Sequence, residues 1–459
     1  MVCAGHSLYN DYIYCTGYTI ICIVYICFFM KRRKAVNTIT RFMIGGLAAA
    51  AAMGSLTACA DETTDGEKAK IRCMVNGSAE ELELYDKAVT AFNEQSETTQ
   101  VELVGVTGDD YSVQLITQLQ SNEAPDVFYS EEGTYGELNN SEMLLDLTEY
   151  LADDNSLLKD SDIPENIKAN YTFDGAVTGV PVDCNPEVIY YNQTLFEELG
   201  LKTPAEYVEE GTWNFENFQK VTEELTEAGK IGFVWENWWG PAYSFLLSAG
   251  DSFYTEDGGA AFTTDRIYAG MEYLNSNIEN GNFIYAGSLE SGESADTLFL
   301  AGDTGMVYNG RWAVPTYEEA SFTYDVVNFP YYEEPSQAVA AMPATPMVIS
   351  VNCENPDNAW EFVSFYCGAE GQRIRMEGQG NAVPTIDGLE DIVLTGHPAN
   401  SQAFLDAVDI AFLYPQAENT HPGLTDALMG EIDAMLAGDQ DSETTVQNMQ
   451  MLAEELLAE

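Results

Sequence analysis

The stretch that decides the fold opens with Ile71-Arg72-Cys73-Met74-Val75, a short apolar run, followed by Leu82, Tyr85, Val89 and Phe92 at helical spacing. Residues 101–106 read again as a strand and 111–120 as a helix. Asp126-Val127-Phe128-Tyr129 reads as a third strand. This alternation predicts an α/β fold with a parallel sheet and helices on both faces. Ligands of such sheets sit beyond the carboxyl ends of the strands, which makes Tyr129, Ser130 and Glu131 a candidate ligand edge. After Pro181 the pattern restarts with a strand at 188–191. A helix opened by Asn214 and carrying Phe215, Phe218, Val221 and Leu225 follows, and then a strand at 231–234. Residues 254–261, with Asp257-Gly258-Gly259, predict a hairpin. Further strands fall at 305–309, 324–329 and 347–351, followed by a helix through Trp360, Val363 and Tyr366. Leu424, Leu428, Ile432 and Met435, then Val446, Met449, Leu452 and Leu456, mark a helical end. The expectation is two α/β lobes with a helical tail.

Composition narrows the function. The chain has 459 residues, with 18 Lys and Arg against 75 Asp and Glu, for a formal net charge of −57. An apolar content of 46% and 12% aromatics supply an ample core, so the length suits two or three domains or one large two-lobed protein. Binding to a phosphate backbone needs clustered Lys and Arg, so the acidic excess argues against nucleic acid. It also disfavours anionic ligands and leaves neutral or cationic small molecules.

The amino terminus points to export. An apolar run at 18–29 is only about twelve residues, short of the ~20 that cross a bilayer. Met30-Lys31-Arg32-Arg33-Lys34 is a basic start, residues 42–56 are apolar and Ala-rich, and Leu56-Thr57-Ala58-Cys59 closes them. That order is a secretory signal. Its last four residues resemble a bacterial lipobox, which implies cleavage before Cys59 and lipid on its sulfur. Residues 1–29 are then expected to be a mis-assigned leader ahead of a true start at Met30, with 30–58 the signal peptide. The polar segment 59–69 reads as a flexible tether. Cys73, Cys184, Cys353 and Cys367 form no obvious disulfide framework.

Several blocks taken in order carry a family resemblance. The first is Phe92-Asn93, Val101-Glu102, Asp110-Tyr111, Leu115 and Ala124-Pro125-Asp126-Val127. The next are Leu145-Asp146-Leu147-Thr148 and Gly179-Val180-Pro181-Val182-Asp183, the latter running into Tyr190-Tyr191-Asn192 and Leu195-Phe196. Then come Gly302, Gly305-Met306 and Asn309-Gly310-Arg311-Trp312. Ala359-Trp360-Glu361-Phe362 and Asn381-Ala382-Val383-Pro384-Thr385 complete the set. Over residues 70–459 the chain resembles the extracellular solute-binding proteins of ABC importers, in the carbohydrate-binding group that includes maltose-binding protein. The resemblance implies a type II periplasmic-binding-protein fold, two α/β lobes joined by a hinge with ligand in the cleft. Lobe 1 would comprise 70–182 with 330–385, and lobe 2 would comprise 183–326 with 386–459. The crossings would fall near 180–183, 326–330 and 384–388. It further implies closure about the ligand, permease subunits as membrane partners, a monomer and no cofactor.

The candidate site residues follow from sugar chemistry. A sugar's C–H face is apolar and its hydroxyls need hydrogen bonds, so aromatic walls with carboxylates and amides suit it. Trp235, Trp238 and Trp239 crowd into one segment, where Gly240 and Pro241 read as a loop. The turn Asn309-Gly310-Arg311-Trp312 resembles the family's sugar-stacking position, which puts Trp312 in the cleft. Asp183, after a hinge-like Pro, would accept sugar hydroxyls, with Glu131, Asn185 and Arg311 as further contacts. His421 lies where the family often presents an aromatic ring. Trp360 and Trp213 read as packing residues.

Other chemistries lack their motifs. The sequence has no Walker-type Lys loop and no Gly-x-Gly-x-x-Gly at a strand end. After the expected signal cleavage the histidines are His397 and His421, twenty-four residues apart and without a Cys-x-x-Cys, which leaves no metal site to expect. The acid-rich segment at 153–160 lacks the glycine and spacing of a calcium loop. A sugar receptor is the leading reading and not an enzyme. The same scaffold binding a polyamine is the alternative, and a surface glycoside hydrolase the remoter one.

Overall fold

All side chains of Ile71-Arg72-Cys73-Met74-Val75 except Arg72 are buried, on both faces of the strand, as happens where helices cover a sheet on each side. The structure, a computed structural model, describes residues 68–107, 111–121, 124–290, 292–377 and 380–458. The expected leader and signal segments, with Cys59, lie outside the described residues. In chain order the strands of the two main sheets are β1 (Ala69–Asn76), β2 (Thr99–Val106), β3 (Val127–Tyr129), β4 (Val180–Pro181) and β5 (Val188–Asn192), then β6 (Ile231–Trp235), β7 (Phe283–Tyr285), β8 (Thr304–Asn309), β9 (Tyr324–Val327) and β10 (Pro346–Ile349). The first sheet runs β2-β1-β3-β10-β4 and the second β9-β5-β8-β6-β7.

In the first sheet β1 lies parallel to β2 and β3, with Ile71 opposite Val101 and Cys73 opposite Val127. The three strands are parallel as expected, but the sheet as a whole is mixed, because β10 runs antiparallel to both β3 and β4. β10 enters from the second sheet through the 340–345 connection and not by a direct βαβ crossover from β3, so nothing forces a parallel entry. The second sheet is also mixed. β8 is parallel to β6 and β6 to β7, while β5 is antiparallel to both β8 and β9. The short β7 escaped the sequence reading, since three residues carry too little pattern.

Helices fix both sheets. Helix Ala79–Gln95 buries Tyr85, Ala88, Val89 and Phe92, and a capping box between Ser78 and Glu81 satisfies its first turn. Helix Phe215–Glu227 buries Phe215, Phe218, Val221 and Leu225 in the core of the second lobe. Helices Leu424–Leu436 and Ser442–Leu456 add Leu424, Leu428, Ile432 and Met449 to the same core. One local expectation fails at the tryptophan segment. Trp235 ends β6, and Trp239 begins a helix, Trp239–Leu247, with Pro241 in its first turn. A missing N–H costs nothing there, so the Gly-Pro pair opens a helix instead of marking a loop.

Three connections join the sheets: β4 to β5, β9 to β10, and helix Ala369–Met376 to helix Gln402–Asp409. They are stitched together by backbone hydrogen bonds. Val182 donates to Thr345, Asn185 to Pro343 and Glu187 to Ala341, while Cys184 and Val383 exchange two bonds. The middle connection differs from the expected 326–330. Tyr331 exchanges backbone bonds with Trp213 and Phe215, and the Tyr332 ring packs on Phe215, so this stretch stays with the second sheet. The chain turns to the first sheet only at 340–345.

Candidate ligand-binding cleft

The carboxyl ends of β1 and β3 release the chain into two helix starts. Asn76 ends β1, and Glu131 is the N-cap of helix Glu132–Asn140. From the other lobe come the turn after β6, with Trp238 and Trp239, and the turn after β8, with Trp312. Two cavities lie between these ends. The larger, about 530 Å³, is lined by Glu131, Glu132, Glu137, Trp238, Trp239, Tyr414 and Asp426 among others. The smaller, about 210 Å³, is lined by Asn76, Glu81, Tyr85, Asp183, Asn185, Trp312 and Asn381 among others. Trp238 and Trp312 meet edge-on at 6.1 Å between ring centroids, so the two cavities adjoin across this pair. Trp239 continues the aromatic run at 5.2 Å from Trp238, and Tyr414 lies 5.3 Å beyond it.

The tryptophans hold their places through glycines. A Cβ on Gly310 would come within 2.0 Å of the Trp312 ring, and one on Gly240 within 2.4 Å of the Trp238 ring. Each ring therefore lies across a glycine that leaves room for it. Trp235 does not share this position. It is 0% exposed and packs on Phe245 and Tyr285 in the second core, away from both cavities.

The other sequence candidates divide. Asp183 lines the smaller cavity but is already bound, its Oδ2 3.0 Å from Nη1 of Arg375, which also donates to the Val182 carbonyl. Burial pushes the Asp183 carboxyl up, against the opposing pull of Arg375 and Asn185. Asn185 lines the same cavity and donates to Asp183 at 3.2 Å. Glu131 is exposed on the larger cavity and accepts from Asn76 and Ser112. Arg311 is fully buried and donates to the Ala382 carbonyl at 2.6 Å, so it clamps the third connection. His421 lines neither cavity. It ends helix Gln416–Thr420, with Nδ1 2.8 Å from the Ala417 carbonyl oxygen, while its neighbours Pro422 and Gly423 reach the larger cavity.

Several cavity residues went unread in the sequence. Glu81 looked like part of a helix start, which it also is, and Tyr85 like a core position. Asn381 stood inside a quoted block without a role. Glu132 faces the larger cavity, and burial pushes its carboxyl up to about 7, with the neighbouring Glu131 adding to the effect. Glu418, fully buried behind Tyr414, accepts from Tyr243, Tyr254 and Thr425, and burial pushes it too up to about 7. On one rim the lobes touch directly: a Cβ on Gly136 would fall 2.1 Å from the Asn419 carbonyl oxygen.

Two mixed α/β sheets joined by three connections, with an aromatic and acidic cleft between their strand ends, define the type II periplasmic-binding-protein fold. ABC substrate-binding protein Lmo0181 of Listeria monocytogenes, solved in complex with cycloalternan, superposes with a TM-score of 0.75 at 20% identity. The match covers 85% of this chain and 100% of that one. The family model for bacterial extracellular solute-binding proteins matches residues 76–373, and the chain belongs to that family. Among its relatives, the multiple sugar-binding protein of Streptococcus mutans is 23% identical over 339 residues, 70% of this chain and 76% of the relative. Maltodextrin-binding protein MdxE of Bacillus subtilis is 24% identical over 310 residues, 60% of this chain and 64% of the relative.

Proposed function

We propose that this protein is a lipid-anchored extracellular receptor that captures a sugar or oligosaccharide between its lobes and delivers it to an ABC permease. The observation that carries this reading is the run Trp312, Trp238, Trp239 and Tyr414 facing carboxylates and amides across one cleft. Flat rings offer the C–H face of a pyranose a surface, and the polar wall offers its hydroxyls partners. The names of the relatives, as sugar- and maltodextrin-binding proteins, agree with it. Trp312, Trp238 and Trp239 are the stacking residues, with Asp183, Asn185 and Glu131 on the polar side. Segments 182–187 and 340–345 and the stretch near Val383 form the hinge, with lobe 1 before and lobe 2 after the first of them. The protein binds and releases its ligand unchanged. Calorimetric titration against a carbohydrate library, with product analysis of the same mixtures, tests this. Saturable binding of a glycan without turnover is expected; hydrolysis of the glycan, or no sugar bound at all, would sink it.

The anchor is a separate part of the proposal. Family membership supports an extracellular site of action, and the order basic–apolar–Leu56-Thr57-Ala58-Cys59 supports a diacyl anchor at Cys59. Cys59→Ser should release the protein into the medium, measured by fractionation. Retention of that variant at the membrane would count against lipidation.

A further inference from the structure

The smaller cavity has an unusual balance of donors and acceptors. Asn381, 2% exposed, gives its amide N–H groups to Glu81 and Tyr85, at 3.0 and 2.9 Å, which fixes the orientation of its amide. Its Oδ1 is buried with no hydrogen-bond partner among the described residues. Asn185, 9% exposed, gives one amide N–H to Asp183, and its Oδ1 too is buried without a hydrogen-bond partner among the described residues. Asn76 gives one amide N–H to Glu131, and Tyr85 gives its hydroxyl proton to Glu81. The donors left for a ligand are the second N–H of Asn76 and of Asn185, the Trp312 indole and the Thr345 hydroxyl, while two buried amide oxygens and the carboxylates stand as acceptors.

Charge points the same way. Asp183 is balanced by Arg375, whereas Glu81 lines the cavity with hydroxyl, amide and backbone donors and, among the described residues, no cation against it. A buried polar group without a partner is costly. A ligand group that seats here must therefore bring donors and is favoured by positive charge. A neutral hydroxyl brings one donor, too few for the two unpaired amide oxygens and the Glu81 carboxylate together. A protonated amine brings three donors and no lone pair.

We propose that the smaller cavity reads a protonated amino group on the sugar, so that the preferred ligand carries an amino-sugar unit seated against Asn381, Asn185, Glu81 and the Trp312 ring. This rests on the sugar-receptor reading and adds the class of sugar. Burial raises the Glu81 carboxyl, chiefly by desolvation, and an ammonium in contact would relieve that penalty.

The test uses the mature protein, titrated with glucosamine, galactosamine, their N-acetyl forms, glucose, galactose, maltotriose and spermidine. Amino sugars should bind at least about tenfold tighter than their hydroxyl and N-acetyl counterparts, and weaken severalfold between low and high salt as screening grows. Glu81→Gln keeps the helix cap, because Gln serves at that position as well as Glu. It should bring the ratio of amino to hydroxyl sugar toward one, and Asn381→Leu should do the same by a different route. Neutral sugars binding as tightly as amino sugars, with no salt slope, would overturn the amine and leave the sugar receptor standing. Spermidine binding alone, or no binding by any of the panel, would overturn both.

Discussion

The two sides of the cleft are built by different devices. The first lobe presents Glu81, Glu131 and Glu132, and each lies at a helix start: Glu81 closes a capping box, Glu131 holds the N-cap position without a side-chain cap bond, and Glu132 sits in the first turn. Acids are favoured there by the unsatisfied N–H groups and the helix dipole. The second lobe presents Trp238, Trp239 and Trp312; the Trp312 ring lies over Gly310, just after β8, and the Trp238 ring over Gly240, in the first turn of helix Trp239–Leu247. The polar wall is thus a by-product of backbone needs, whereas the aromatic wall depends on side chains being absent next to it. Substitutions on the first side that remove a capping oxygen, such as Glu81→Ala, disturb fold and binding together. On the second side the two effects should separate.

That separation is sharpest between tryptophans of one segment. Trp235→Ala should lower stability by about 3–5 kcal/mol, as a large core truncation does, with binding by the folded fraction little changed. A denaturant melt and a titration on the same preparation check it. If affinity collapses and stability holds, the division between core and cleft is misplaced.

A comparably large effect is expected at Glu418, where the second-lobe core meets the cleft. Below about 4.5 its carboxyl is protonated in both folded and unfolded chains and contributes nothing. From there to about 7 only the unfolded chain loses the proton, so stability falls as pH rises and levels off above about 7. The span corresponds to about 3 kcal/mol at most. Thermal melts of wild type and Glu418→Gln across pH 4 to 8 should diverge over that window, with the variant the flatter of the two. Parallel curves would mean the carboxyl is ionised in the folded state.

Trp312→Ala should cost roughly 1–3 kcal/mol of ligand binding, about 5- to 150-fold in Kd, with a small change in melting temperature. An unchanged Kd with a collapsed melting temperature would return Trp312 to the core. Gly310→Ala is the mildest test. The added methyl must displace the ring it would strike, and about tenfold weaker binding, near 1.4 kcal/mol, is expected without loss of fold. An unaffected Kd would show that the ring can bind from a second position.

The strands of both sheets were legible because runs such as 71–75 and 188–191 are apolar and bounded by turn residues. The antiparallel entry of β10 was not, because direction depends on where the chain has been, not on its local pattern. Trp312 was legible through its turn, and Trp238 and Trp239 through their crowding. Trp235 reads the same as its neighbours in sequence, and only its place at the end of β6 turns it into the core. Arg375 and Asn381 were invisible for another reason. Their partners, Asp183 for one and Glu81 and Tyr85 for the other, lie 192, 300 and 296 residues away, a distance no periodicity spans.

The crowding of rings also has an optical consequence. Half of the six tryptophans, Trp238, Trp239 and Trp312, gather in the cleft, while Trp213, Trp235 and Trp360 are buried elsewhere. Trp238 and Trp239, 5.2 Å apart with planes crossing at 84°, are close enough for their electronic transitions to couple. Their near-ultraviolet circular dichroism and their emission therefore report on the cleft itself, and capture of any solute can be followed by light alone, without a label on either molecule.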